Sequence, residues 1–243
     1  TTKEEELVNH NLQLCEDVLG STHILTTIYL GLRAYQYEEQ GQFKQSQQIL
    51  ERILSNDKKN YGPNSGRTCN SLYLLGRLHL RTGNLSEAQC YLEQALELDN
   101  KGGREFFDSS HIRTALAALY NKQKRPEKVT PLLADTLKNE LNIIALQEEA
   151  FGANSPHLTI ELQPCAEIYY LMGKYPQAFG LIKRIATLQM SDPALTQQKL
   201  VEALTYNAML LREMNYIAEA KELEFKAKKI TAQLASKGKT ELK

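Results

Sequence analysis

The fold of this chain is decided by a recurring stretch, whose clearest copy reads Gly83-Asn84-Leu85-Ser86-Glu87-Ala88-Gln89-Cys90-Tyr91-Leu92-Glu93-Gln94-Ala95-Leu96. A second copy reads Gly173-Lys174-Tyr175-Pro176-Gln177-Ala178-Phe179-Gly180-Leu181-Ile182. Weaker copies begin at Gly41, Lys124 and Asn215, so the turns near residues 41, 83, 124, 173 and 215 are 42, 41, 49 and 42 residues apart. A period in this range indicates stacked pairs of helices. The pattern therefore predicts an all-α solenoid of about five antiparallel helix pairs.

The second repeat shows why each copy should form two packed helices. Apolar and small residues recur at intervals of three and four on both sides of Gly83, and a glycine there can adopt the positive φ that ends a helix. Small residues at Gly76, Ala88 and Ala95 would let the two helices approach closely. His79 lies on the same face as Gly76, so we interpret it as a packed interface residue and not as a metal ligand.

The spacing of these residues resembles the tetratricopeptide repeat, with its small residue at the eighth position and its turn glycine at the fifteenth. The longer period resembles the kinesin-light-chain subtype, whose repeats are joined by a glycine-rich linker with serine or histidine near a proline. The segments 61–65 and 151–157 stand in that place. The resemblance implies a right-handed superhelical solenoid whose concave face binds peptides.

The expected organisation has three parts. Residues 1–21 are predicted to be an N-terminal helix or a degenerate repeat, residues 22–235 the repeat array, and residues 236–243 a flexible polar tail. Seven extra residues fall between the third and fourth turns, which predicts that the second helix of repeat three is about two turns longer than the others. Pro164 lies inside the predicted first helix of repeat four, where a proline would kink the helix.

The charge balance argues against two classes of partner. The chain has 29 basic and 29 acidic residues, and therefore a formal charge of zero, whereas nucleic-acid and polybasic membrane binding need a basic excess. No apolar run approaches the roughly 18 residues of a membrane span.

The four cysteines are not at zinc or redox-motif spacing. We interpret them as reduced and buried thiols that pack as small hydrophobic residues, with Cys90 in an apolar helical stripe and Cys165 at a packing position. Reduced cysteines favour a reducing compartment, and a cytoplasmic location is expected.

Motifs for catalysis and for cofactor binding are missing from the sequence. It has no phosphate loop, no dinucleotide-binding glycine pattern and no nucleophile elbow, and its five histidines are isolated. Adjacent acidic residues such as Glu38-Glu39 and Glu148-Glu149 point about 100° apart on a helix, so we interpret them as solvated faces. The prediction is a non-enzymatic protein without a metal or cofactor.

The resemblance implies that the first helix of each pair lines the concave face. The candidate peptide-binding residues are Tyr35, Asn70, Tyr73, Arg77, Arg81, His111, Asn121, Lys122, Tyr170, Tyr206 and Arg212. Further positions on the same helix faces are Gly31, Leu32, Glu38, Glu39, Leu74 and Glu167. Tyrosine, arginine and asparagine are common interface residues. Arg77 and Arg81 are one turn apart, and together with Lys122 they could hold an acidic peptide or a C-terminal carboxylate.

Three functional hypotheses follow. The first is a protein-interaction scaffold, adaptor or assembly factor that binds a peptide or a partner segment in its groove. The second is a regulator whose superhelix changes curvature when it binds a peptide, for which the predicted kink at Pro164 would be suitable. The third is an enzyme with a site spread over the concave face, which only scattered histidine and glutamate residues support. Self-association to a homodimer is an alternative mode of partner binding, because open solenoids expose apolar surface at their ends.

Overall fold

The computed structural model describes residues 3–102 and 110–240. All regular elements in these two ranges are helices. The chain divides into two compact units, residues 1–125 (the first unit) and residues 126–243 (the second unit).

The described residues of the first unit form six helices, and each one packs on the next along the chain. From α1 to α5, short turns reverse the chain, which makes these sequential neighbours antiparallel. The helices are α1 Lys3–Leu19, α2 Ile24–Glu39, α3 Phe43–Tyr61, α4 Gly66–Thr82, α5 Leu85–Gly102 and α6 Ser110–Lys122.

In residues 126–240, the second unit contains five helices with the same sequential packing. Single 3₁₀ turns, Pro126–Lys128 and Pro156–Leu158, precede its first two helices. The helices are α7 Val129–Phe151, α8 Thr159–Leu171, α9 Tyr175–Ser191, α10 Gln197–Glu213 and α11 Ile217–Thr240. Stacked helix pairs therefore build each unit, and the predicted all-α fold class is confirmed.

All five turns that the sequence repeat marks have one backbone conformation. The left-handed residues are Gly41, Gly83, Lys124, Gly173 and Asn215, with φ between 59° and 83°. At each turn the next amide donates to a carbonyl five residues earlier, which is the bond of the Schellman motif. Glycine and asparagine tolerate this conformation, whereas Lys124 adopts it without that intrinsic preference. The five weak and strong sequence copies thus form one structural motif.

The connection from one helix pair to the next also repeats, and the connection from α1 to α2 has the same form. Gly20 and Gly62 have φ of 89° and 90°, and their carbonyls each accept a 2.8 Å hydrogen bond from a threonine six residues later. These two threonines, Thr26 and Thr68, are completely buried. Since α1 is joined to α2 as α3 is joined to α4, α1 occupies the place of a second helix.

Helix lengths differ from the simple repeat at two places. The second helix of repeat three, α7, has 23 residues, whereas α3, α5 and α9 have 19, 18 and 17. The excess is four to six residues, which is between one and two turns and less than the full two turns that the sequence predicts. Helix α11 extends to Thr240, so residues 236–240 continue a helix, and residues 241–243 lie outside the described residues.

The cysteine prediction holds for two residues and is wrong for a third. Cys69 and Cys165 are buried, whereas Cys90 is exposed. The buried stripe of α5 is formed by Ala88, Leu92 and Ala95, and Cys90 is about 200° around the helix from Ala88. Burial raises the thiol pKa of Cys69 to about 11 and that of Cys165 to about 12, with nearby carboxylates adding to both, so these thiols stay protonated.

Close approach of α4 and α5 depends on Gly76. A Cβ atom at this position would lie 2.6 Å from Leu92 Cγ and 3.2 Å from the Leu92 backbone nitrogen. Leu92 is itself completely buried and cannot withdraw into solvent. The predicted role of the small residue in helix packing is therefore confirmed at this position.

We expect Gly76→Ala to lower the free energy of unfolding by about 1–3 kcal/mol, because the methyl group would overpack the α4–α5 contact. Gly31→Ala is the matched control, since Gly31 is also helical but has no atom within 4 Å of an added Cβ. It should stabilise the protein by about 0.5–1 kcal/mol through helix propensity. Urea denaturation followed by circular dichroism measures both values, and equal stabilisation by the two alanines would contradict the packing argument.

Candidate functional site

A buried glutamate links the first helices of repeats one and two. Glu38 on α2 is only 2% exposed, and its Oε1 and Oε2 lie 3.3 Å and 3.2 Å from Arg77 Nη2 and Arg81 Nη1 on α4. Ser46 Oγ donates a further hydrogen bond of 3.4 Å to Glu38. The prediction that Glu38 and Glu39 are both solvated is therefore wrong for Glu38. Adjacent helix positions point in different directions, and only Glu39, at 55% exposure, lies on the solvated side.

This network changes the interpretation of the two arginines. Arg77 and Arg81 remain 40% and 44% exposed, but Glu38 and Glu39 balance their charges. The Arg81 guanidinium also lies 5.4 Å from the ring centre of Phe43. An acidic ligand would have to compete with these carboxylates. The arrangement thus favours a role for both arginines in holding α2 against α4.

In the second unit, hydrogen bonds join α8 and α10 at the same sequence separations as the ion pairs between α2 and α4. Tyr206 Oη on α10 donates to Glu167 Oε1 on α8 at 2.7 Å, and Tyr170 Oη donates to Glu213 Oε2. The partners are 39 and 43 residues apart, as are Arg77 and Arg81 from Glu38. Burial raises the pKa of both phenols above the ordinary value, and the acceptor glutamates raise it further. Equivalent positions of adjacent first helices therefore pair in both units.

The remaining candidates are placed separately. In the first unit, the ring centres of Tyr73 and His111 are 6.3 Å apart, which brings these two predicted residues together across α4 and α6. Asn121 and Lys122 lie in the last turn of α6. In the second unit, Arg212 forms an ion pair of 2.5 Å with Glu224 on α11, the partner helix of its own repeat.

An exposed apolar stripe runs along α2. Leu25, Ile28, Leu32 and Tyr35 recur at intervals of three and four, and each is between 44% and 53% exposed. The buried residues of the same helix lie on another face. Scattered exposed apolar residues are common, but a continuous stripe on one helix face is typical of a surface that contacts another molecule.

A cavity of about 770 Å³ opens beside this stripe, within the first unit. Its walls come from α2, the C-terminal ends of α3 and α5, and the N-terminal half of α4. Ile28 of the stripe and three predicted concave positions, Gly31, Asn70 and Leu74, line it. The volume is in the usual range of ligand pockets.

The cavity wall contains a buried carboxylate, Asp57, that the sequence interpretation missed. Its side chain is 3% exposed; Oδ2 accepts a hydrogen bond from Ser71 Oγ, and Oδ1 has no partner in the part of the chain that the structure describes. Burial raises the Asp57 pKa, which Ser71 and the Arg67 charge only partly oppose. The sequence did contain a signal for this buried acid, because Asp57 continues the buried stripe of Leu50, Ile53 and Leu54 on α3.

Two further classes of site are absent from residues 3–102 and 110–240. These ranges contain no group of three or more histidine, cysteine or acidic side chains that could hold a metal ion. In the same ranges, no helix is sufficiently long and apolar to cross a membrane.

We expect Glu38→Gln to reduce the free energy of unfolding by about 1–3 kcal/mol, because a neutral amide cannot compensate the two arginines. Glu39→Gln removes the same charge from an exposed position and should change stability by less than about 0.5 kcal/mol. Urea denaturation of both variants checks this. Equal losses of unfolding free energy in the two variants would show that the removed charge, and not the buried network, determines the effect.

We expect the stability gain from Asp57→Asn to depend on pH. Because the folded-state pKa is raised above the ordinary value of 3.8, the stability contributed by protonated Asp57 is present below that value and is lost as pH rises through the folded-state pKa. The variant should therefore gain stability relative to the wild type between acidic and neutral pH. Thermal unfolding at pH 4 and pH 7.5 measures this, and a constant difference would contradict the shift.

Comparison with known proteins supports the repeat interpretation. Residues 25–101 match the model of a tetratricopeptide repeat family. A curated human protein, SH3 domain and tetratricopeptide repeat-containing protein 2, is 26% identical over 140 residues, a match that covers 50% of this chain. The chain spans 11% of the length of that relative.

Two solved structures show the same architecture over nearly the whole chain. BtubC (BKLC) from P. vanneervenii has a TM-score of 0.59 at 14% identity, covering 95% of this chain and 91% of that one. A variant of a putative kinesin light chain with nearly identical repeats, from Podosopora anserina, has a TM-score of 0.54 at 17% identity, covering 97% and 100%. Identities this low indicate a common fold alone. The family match is limited to residues 25–101, and the chain shares the fold of these two solved repeat structures.

Proposed function

We propose that this chain is a non-enzymatic scaffold or adaptor that binds a peptide segment of a partner protein on the surface of its first helices. Tetratricopeptide repeats generally mediate protein–protein interaction, which gives the broad class of function. The observation that carries the finer proposal is the exposed apolar stripe of α2 beside the cavity of the first unit.

The stripe offers a hydrophobic contribution to binding. Leu32 and Tyr35 are 46% and 53% exposed, so a partner could remove a large part of each side chain from water. Burial of a large apolar side chain contributes about 1.5–3 kcal/mol when it is complete. Two half-exposed residues are therefore sufficient to affect affinity measurably.

The ion-pair network supports binding by fixing the geometry of this surface. Glu38 lies one turn after Tyr35 on α2 and is held by Arg77 and Arg81 from α4. These ion pairs set the position of α2 relative to α4 before a ligand arrives. Both helices line the cavity, so its shape is set as well. A preorganised surface loses less conformational entropy on binding.

We expect the double variant Leu32→Ser/Tyr35→Ser to weaken peptide binding by about tenfold or more, because it removes the exposed apolar contacts. Peptides would first be selected from a random phage-displayed library on the wild-type chain. Fluorescence polarisation would then give the Kd of each selected peptide for the wild type and the variant.

The matched control is Leu14→Ser/Val18→Ser on α1, whose side chains are 53% and 69% exposed. It removes a similar amount of exposed apolar surface from another helix and should leave the Kd unchanged. Helical circular dichroism verifies that both variants are folded. Equal Kd values for the two double variants would move the peptide site away from α2.

A further inference from the structure

We infer that the cavity beside α2 receives the side chain of a lysine or arginine from the bound segment, with the Asp57 carboxylate as its counter-charge. This inference rests on the proposed function, because it names the partner chemistry of the same surface. It replaces the acidic partner expected from Arg77 and Arg81, whose charges Glu38 and Glu39 already balance.

Asp57 has one carboxylate oxygen, Oδ1, that lacks a hydrogen-bond donor among the described residues. A buried carboxylate oxygen without a hydrogen bond is costly, and native structures contain few such groups. Ser71 uses Oδ2 only, so Oδ1 keeps its capacity to accept a hydrogen bond. Because Oδ1 is itself covered, a donor in the cavity would reach it by displacing the neighbouring atoms slightly. The stability that the protein loses by burying this unpaired oxygen is consistent with a carboxylate retained for binding.

The second step is that the missing donor should be a cation. Among the described residues, none forms an ion pair with Asp57. Arg67 is the nearby basic residue, but its guanidinium lies over the Tyr61 ring at 4.7 Å, and its effect on Asp57 is smaller than that of burial. The cavity's other acid, Asp99, is already paired with Arg113 at 3.4 Å. Asp57 therefore remains only partly compensated, and a buried charge is stabilised by an opposite charge.

The third step is the shape and polarity of the cavity. Ile28, Ile53, Leu74 and Leu98 provide apolar wall, against which the methylene stem of a lysine or arginine could pack. The volume of about 770 Å³ is ample for one such side chain. Since Ile28 belongs to the α2 stripe, a segment lying on that stripe could direct a side chain into the cavity.

The test compares small probes of matched shape on the full chain by two-dimensional NMR. The probes are the N-acetyl, N-methylamide derivatives of lysine, arginine and the neutral norleucine. We expect the basic probes to shift the amide signals of Gly31, Gly66 and Ser71, with a Kd about tenfold or more below that of norleucine. Equal affinity for norleucine, or shifts confined to residues outside the cavity, would overturn the inference.

Two variants assign the preference to the carboxylate. Asp57→Asn should reduce the preference for basic over neutral probe to less than about threefold, whereas Ser71→Ala keeps the carboxylate and should retain it. A preference that survives in folded Asp57→Asn would overturn the inference.

The outcome is separable from that of the proposed function. The probes need no contact with the α2 stripe, and the phage-selected peptides need not contain a basic residue. If selected peptides depend on Leu32 and Tyr35 while the basic probes show no preference, the inference fails and the proposed function stands. If the probes prefer Asp57 while the peptides ignore α2, the cavity site stands and the proposed function fails.

Discussion

Each helix pair in this protein can bury its core only against the next pair, and this constraint determines where polar side chains can lie. A polar group at such an interface needs a partner on the neighbouring pair, because water is excluded there. The buried Glu38 obtains two arginines from α4. Buried polar atoms without a partner do occur among the described residues, for example Asn207 Oδ1, and Asp57 Oδ1 is the one that belongs to a carboxylate, since Ser71 satisfies only the other oxygen. The fold therefore explains the paired groups, and packing gives no reason for an aspartate at position 57.

The turns were predictable from sequence because their conformation depends on local residues. A left-handed residue after a helix is readily formed by glycine, and Gly41, Gly83 and Gly173 mark three of the five turns. Lys124 and Asn215 were found only through the spacing of the repeat. The repeat spacing predicted all five turns, whereas glycine residues alone would have predicted three. The repetition was therefore more informative than any single motif.

The candidate site was less predictable, because it depends on side chains that are distant in the sequence. Position on a first helix correctly suggested that Arg77 and Arg81 lie near one another. It could not show that Glu38, which precedes them by 39 and 43 residues, forms an ion pair with both. The cavity was missed because its acid is on α3, a second helix, where the repeat pattern predicts only packing. An aspartate in line with Leu50 and Ile53 violated that pattern, and such violations are expected where function opposes stability.

The same reasoning separates two kinds of buried acid in one unit. Glu38 is compensated within the protein, so a ligand that approached it would first have to break existing ion pairs. Asp57 is only partly compensated by Ser71 and the Arg67 charge, so a cation that reached it would break no ion pair and would relieve a desolvation cost that folding has already imposed. Burial alone therefore does not indicate a binding site. The balance of charge around the buried group is the better guide, and in this unit it favours the basic side chain that we infer beside α3 over an acidic group beside the arginines of α4.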